Sequence, residues 1–168
     1  MLKNTNHQKI TISVIGARHA TAKVEQNAHE IGKIVANVGA VLVCGGLSGV
    51  IEAAASGAKE AGGLTIGLLP GKDKRDANPY IDIALPTTIG FARNACVACS
   101  GDVIIALPGS YGTTSEICYG LVYDKPVIDM GNWKIKGMTK VKGLKGLDIW
   151  LKRYIRKMRK GTGHARIA

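Results

Sequence analysis

Asp102-Val-Ile-Ile-Ala-Leu-Pro-Gly-Ser-Tyr-Gly-Thr-Thr-Ser-Glu116 is the stretch on which the reading of this chain turns. Its first half is a short apolar run with the β-branching of a buried strand; Pro108-Gly109 interrupts it, and helix-favouring sequence resumes from about Thr113. Strand, glycine loop and helix in that order have a chemical consequence. The first amides of a helix lack intrahelical acceptors and stand at the positive end of its dipole, so the loop forms a cradle for an anion such as phosphate. Glu116, one turn into the helix, then lies beside whatever the cradle holds.

The flanking sequence repeats the theme. Ile10-Thr-Ile-Ser-Val-Ile15 alternates as a strand and ends at Gly16-Ala-Arg18; a helical stripe through Ala28, Ile31, Val35 and Val38 follows, with Gly39 at its end. Ala40-Val-Leu-Val-Cys44 reads as a central strand and empties into Gly45-Gly46-Leu-Ser48-Gly49, after which residues 50–61 are Ala-rich helix. Residues 64–69 form a third strand, 70–79 a polar surface loop, and 81–85 a brief extended piece. Residues 88–100 read as a small-residue helix whose one charge, Arg93, must reach solvent or an anion. A further strand at 127–130 follows the helix that carries Glu116. Strands alternating with helices imply right-handed crossovers, hence an α/β fold: a Rossmann-like doubly wound parallel sheet in three α/β/α layers.

Composition agrees. The 168 residues are one domain's worth, 46% hydrophobic but only 5% aromatic, with 22 glycines; that is a Val/Ile/Leu/Ala core joined by tight turns. The net charge of +11 is unevenly placed. Residues 1–131 hold 11 Lys/Arg against 11 Asp/Glu, whereas residues 132–168 hold 12 Lys/Arg against a single acid, Asp148. We therefore divide the chain into a neutral phosphate-binding body, 1–131, and a basic extension, 132–168. In the extension, 132–146 shows little periodicity, while Leu147, Trp150, Leu151, Tyr154, Ile155 and Met158 share one helix face opposite Lys152, Arg153, Arg156, Lys157, Arg159 and Lys160. Packing on the sheet or on a second subunit accounts for the apolar face; contact with nucleic acid or an anionic membrane surface is the alternative use of the basic one.

No apolar run reaches the length of a membrane span, no signal-peptide pattern precedes the first strand, and four cysteines fall in strands or helices. These point to a reduced, cytoplasmic protein with buried thiols. Cys96-x-x-Cys99 lacks a second pair at zinc spacing, so no metal site is expected.

In open parallel sheets, ligands bind outside the carboxyl ends of the strands. The three glycine turns converge there, which makes Gly16, Gly45, Gly46, Ser48, Gly49, Pro108, Gly109, Ser110, Tyr111, Gly112, Thr113 and Thr114 the candidate phosphate-binding set, with Arg93 and Glu116 as the charged pair beside it. Neither helix-opening loop is a Walker A or a strict Gly-x-Gly-x-x-Gly, and the four histidines lie in a terminus, a turn, a helix surface and a tail. ATP hydrolysis, ordinary NAD chemistry and a Ser-His-Asp mechanism are thereby disfavoured.

At Gly45-Gly-Leu-Ser-Gly-Val-Ile-Glu-Ala and Pro108-Gly-Ser-Tyr-Gly-Thr-Thr-Ser-Glu116 the chain resembles the LOG-type superfamily, marked by a Gly-Gly-rich strand-to-helix turn and Pro-Gly-Gly-x-Gly-Thr-x-x-Glu. The resemblance covers about residues 10–130. Gly57-Ala-Lys-Glu-Ala-Gly-Gly, Gly67-Leu-Leu-Pro-Gly and Ala92-Arg-Asn94 are most similar to the small branch that includes molybdenum cofactor carrier proteins. For the LOG enzymes the resemblance implies a phosphoribohydrolase, cleaving the N-glycosidic bond of a nucleoside 5′-monophosphate with Arg93 and Glu116 as catalytic pair and no required cofactor. For the carrier branch it implies a bound molybdopterin-type cofactor and no catalysis. Both imply a homodimer or larger assembly. Two departures bear on turnover: Ser110 replaces the motif's second glycine, and Asn94 stands where LOG enzymes place a lysine. With both expected catalytic side chains present, the hydrolase is placed slightly ahead of the carrier.

Overall fold

The computed structural model describes residues 9–159. Seven strands form one sheet: β1 (Thr11–Ile15), β2 (Val41–Cys44), β3 (Thr65–Leu69), β4 (Ile83–Pro86), β5 (Val103–Ala106), β6 (Val127–Asp129) and β7 (Thr139–Lys140). Their order across it is β4-β3-β2-β1-β5-β6-β7, and every pair is parallel. β1 is central because both of its faces are dry: Ile12, Val14 and Ile15 are buried, and the one polar residue among them, Ser13, donates its hydroxyl to Val97 O at 2.6 Å.

Five helices cover the sheet: α1 (Ala22–Asn37), α2 (Val50–Glu60), α3 (Arg93–Ser100), α4 (Tyr111–Val122) and α5 (Gly143–Arg159). One core joins Ile12, Val14, Leu42, Val103 and Ile105 to apolar residues of α1, α2 and α5; the other joins Ile15, Val43, Ile104 and Ala106 to Val97 and Ala98 of α3 and Ile117 of α4. This is the expected three-layer, Rossmann-like doubly wound sheet. α1 and α2 approach closely enough that a Cβ on Gly57 would stand 1.9 Å from His29 O, and one on Gly32 1.9 Å from Ala54 O. Among the described residues, no helix is long and apolar enough to cross a membrane.

Three local departures from the sequence reading have physical causes. The helix expected over residues 88–100 starts only at Arg93, after a 3₁₀ turn at Gly90–Ala92, because Thr88 and Gly90 take positive φ (61° and 57°) and break the helical path. Residues 132–146 are not featureless: Thr139–Lys140 pair with Ile128 and Asp129, and α5 begins at Gly143. A two-residue strand carries no periodic signal; here the Lys140–Asp129 ion pair fixes it. Of the cysteines, only Cys44 is buried, whereas Cys96 and Cys118 are exposed and Cys99 is intermediate.

Candidate functional site

Strand order reverses at β1, with β2 to β4 on one side of it and β5 to β7 on the other. The crevice at such a switch point is where a doubly wound sheet has room for a ligand. Here the turns after β1, β2 and β5 meet: Ala17 N donates to Pro108 O at 3.0 Å and Val50 N to Ala17 O at 3.1 Å. Gly49 makes the junction feasible, since its φ is 78° and a Cβ there would stand 2.0 Å from Arg18 O. The result is a cleft of about 270 Å³, floored by Gly16 and Gly45 and walled by Ser48 and Ile51 of the β2–α2 segment, Arg93 and Asn94 of α3, and Ser110, Gly112, Thr113 and Glu116 of the β5–α4 segment.

Two helices open onto this cleft without a side-chain cap. Gly49 precedes α2 and Ser110 precedes α4, and neither side chain occupies a first-turn amide. Apart from Val50 N, which Ala17 O accepts, the first-turn amides are left for solvent or an anion, at the positive ends of both dipoles. Ser110 sits at φ −122°, ψ −153°, an extended conformation any residue adopts. Serine in place of the motif's glycine thus causes no backbone strain.

Arg93, as the first residue of α3, lays its guanidinium against the Gly45 backbone: a Cβ on Gly45 would stand 2.6 Å from Nη2 and 3.0 Å from Cζ. Its Nη1 donates to Asn94 Oδ1 at 2.8 Å, Nη2 lies 3.4 Å from Gly45 O, and Nε is buried without a partner. The Glu116 carboxylate faces it, Oε1 to Nη1 being 3.7 Å, and the two side chains are 9% and 11% exposed. Burial dominates both groups. It raises the Glu116 pKa to about 7 against the opposing pull of Arg93, and it lowers that of Arg93 against the pull of Glu116. Beneath them burial raises the Cys44 thiol to about 11, so that side chain stays neutral. A buried carboxyl poised near neutrality beside a guanidinium with an unused donor can hold an anion, bond ribose-like hydroxyls, or move a proton.

Of the sequence-derived residues, Gly16, Gly45, Ser48, Arg93, Ser110, Gly112, Thr113 and Glu116 line the cleft together. The others lie around it. Pro108, Gly109 and Ser110 border an adjoining hollow with Arg18 and His19. Gly46 packs against Leu69, and Gly49 serves the turn just described. The Tyr111 side chain is 93% exposed, and the Thr114 hydroxyl donates back to Ser110 O at 3.1 Å. Sequence reasoning did not place Asn94, Arg18 or Phe91 in the binding set: Asn94 was noted only where LOG enzymes carry a lysine, and Arg18 only as the end of a glycine turn. Asn94 is a buried hub: besides accepting from Arg93, its Nδ2 lies 3.3 Å from Gly112 O and 3.2 Å from Ser115 Oγ, tying α3 to the first turn of α4. A polar residue in an apolar helical stretch was its available signal. Arg18 and Phe91 reach the cleft only through the tertiary fold, Phe91 being 88% exposed at its mouth.

Behind the Pro108 loop stands a polar brace. Asp129, at the end of β6, accepts from Gly131 N at 2.8 Å and Trp133 N at 3.2 Å and is paired with Lys140; Trp133 Nε1 in turn lies 3.2 Å from Leu107 O. These contacts hold the Asp129 carboxyl below its ordinary pKa against the cost of burial, the Lys140 bond contributing most.

Known proteins match this arrangement along most of the chain. The molybdenum cofactor binding protein from Rippkaea orientalis superposes with a TM-score of 0.84 at 34% identity, covering 89% of this chain and 99% of that one. The molybdenum cofactor carrier protein from Chlamydomonas reinhardtii superposes at 0.81 with 31% identity, covering 89% and 100%. A cytokinin riboside 5′-monophosphate phosphoribohydrolase of Mycobacterium tuberculosis is 30% identical over 133 residues, 73% of this chain and 71% of its own length. The family model described as the SLOG cluster4 family matches residues 9–155, running past the sequence motifs through β7 and into α5. On that match the chain belongs to the SLOG cluster4 family.

Proposed function

We propose that the cleft binds a phosphorylated small molecule of the pterin or nucleotide class and returns it intact, as a carrier. The observation that carries this reading is the buried, unpartnered Nε of Arg93 beside two helix N-termini without side-chain caps: an anion receptor in which the one carboxyl lining the cleft, Glu116, stands 3.7 Å from the guanidinium and leaves that donor unmet. The full-length likeness to molybdenum cofactor proteins supports the carrier over the hydrolase that the sequence alone placed slightly ahead. The molybdenum cofactor, a pterin bearing a phosphate, fits this chemistry as cargo. Arg93 and the amides at the starts of α2 and α4 would hold its phosphate end, and Phe91 at the mouth offers a face for a flat ring.

The second reading is a LOG-type phosphoribohydrolase, favoured by Glu116 at about pH 7 next to Arg93. In it the bond between C1′ and the base nitrogen breaks, water oxygen bonds to C1′, and the proton released by that water ends on the departing base. Glu116 would orient the water and shuttle the proton, and its charge would stabilise the oxocarbenium character of the transition state. Asn94 in place of a lysine removes one cation from that arrangement.

Incubation of purified protein with nucleoside 5′-monophosphates, including isopentenyl-adenosine monophosphate, separates the two. The carrier reading expects thermal protection by ligand and no free base on chromatography, in the wild type and in Glu116→Gln alike. Base release that disappears in Glu116→Gln overturns it in favour of hydrolysis.

The family resemblance further implies a homo-oligomer. Tyr111, Tyr119 and Val122, exposed on α4, and Phe91 before α3 supply apolar surface for one. Light scattering on a sizing column is the test, a mass of 17.7 kDa being the outcome against it. A reduced cytoplasmic setting completes the reading, with all four cysteines free of disulfides.

A further inference from the structure

The carrier reading leaves the basic end of the chain without a use. Of the six cations on α5, Lys145, Lys152, Arg153, Arg156, Lys157 and Arg159, every one is exposed, against the single acid Asp148, which Lys152 engages at 2.7 Å. Those in the last turn also complement the helix dipole, but Lys145, Lys152 and Arg153 lie outside it. Lys145 and Arg159 are separated by about 21 Å of helix axis at 1.5 Å per residue.

We propose that the outer face of α5 docks the phosphate backbone of a nucleic acid without reading its sequence. Insertion into a membrane would need the apolar face, and that face is spent: Leu147 and Leu151 are 0% exposed and Ile155 is 4%, all packed inside. An acidic protein partner would need apolar or aromatic anchors among the charges, and Ile149 is the only large exposed apolar side chain on α5. A phosphate backbone needs cations alone. Base stacking has no platform here, since Trp150 and Tyr154 stack on each other at 5.1 Å, are partly buried, and Tyr154 donates to Asp102 O.

The surface is separate from the cleft. Arg159 reaches Gly39, which shortly precedes β2, and Tyr154 meets Asp102, which precedes β5. α5 therefore ends at the amino edge of the sheet, while the cleft lies at the carboxyl edge. Ligand binding and polyanion docking occupy opposite ends of the same strands.

Fluorescence anisotropy of the full chain with labelled duplex DNA of two unrelated sequences tests this. The expected result is equal affinity for both, falling steeply with salt. In Arg153→Glu/Arg156→Glu we expect at least a tenfold loss of binding at low salt and a log–log salt slope shallower by about 2, near 0.9 per lost phosphate contact. The variant's own Tm, and its thermal protection by isopentenyl-adenosine monophosphate where the wild type shows any, stay unchanged, which shows that its fold and cleft are intact. Undetectable duplex binding at 50 mM salt, affinity unaltered by the double charge reversal, or binding to phosphatidylserine vesicles without binding to duplex would each overturn the proposal.

Discussion

Glu116 couples the cleft to pH. Its folded pKa is raised from 4.5 to about 7 by burial, so between those values the folded protein binds a proton that the unfolded chain has released. Stability from this group is therefore present in full below pH 4.5 and is lost as pH rises through 7, by roughly 3 kcal/mol in all. Urea unfolding at pH 5.5 and pH 8 captures about 2 kcal/mol of it, the part lost between pH 5.5 and 7, and in Glu116→Gln this part of the pH dependence should vanish. The same proton governs affinity. A neutral Glu116 leaves Arg93 free to attract an anion, so binding of a phosphorylated ligand weakens from pH 6 to pH 8 in the wild type and stays nearly flat in the Gln variant. Titration calorimetry at the two pH values gives the answer.

Gly45 is the other decisive residue at this scale. A Cβ there meets the end of the Arg93 side chain at 2.6 Å rather than backbone, so Gly45→Ala displaces the guanidinium while the fold absorbs the change. The expected outcome is a shift of only a degree or two in Tm with about a tenfold loss of ligand affinity, or roughly 1.4 kcal/mol.

Among the elements, the α1–α2 pair makes the opposite case. A Cβ on Gly57 meets backbone, His29 O at 1.9 Å, and neither helix can yield without disturbing the core beneath. Gly57→Ala should cost at least about 2 kcal/mol by overpacking, visible as a clear loss of Tm with little change in the affinity of whatever protein remains folded. Elements of this kind were also the most legible in the sequence. The β-branched runs gave β1, β2, β3 and β5 within about a residue, because a strand buried on both faces has to be apolar throughout. The stripe through Ala28, Ile31 and Val35 gave α1 for the equivalent reason. β7 and the late start of α3 escaped notice, one resting on a contact between Asp129 and Lys140, the other on positive φ at Thr88. The site divides along the same line. Glycine turns and the Arg93 and Glu116 charges announce themselves, whereas Arg18 and Phe91 look ordinary until the sheet brings them to one crevice.

For the molecule as a whole, the register of the sheet sets when the cleft comes into being. β1 pairs with β2 at Ile12↔Leu42 and with β5 at Ile12↔Val103. The first partner is near in sequence and the second far, so closing the β1–β5 seam carries a large loop-entropy cost and should be a late event in folding. Arg93, Ser110 and Glu116 all arrive with or after that seam. A chain still emerging from the ribosome, with α1 and α2 already packed, lacks the Arg93 and β5–α4 half of the cleft, so ligand capture would report a chain complete through α4. It follows that saturating ligand should slow unfolding without speeding refolding, since the transition state precedes the site that the ligand stabilises.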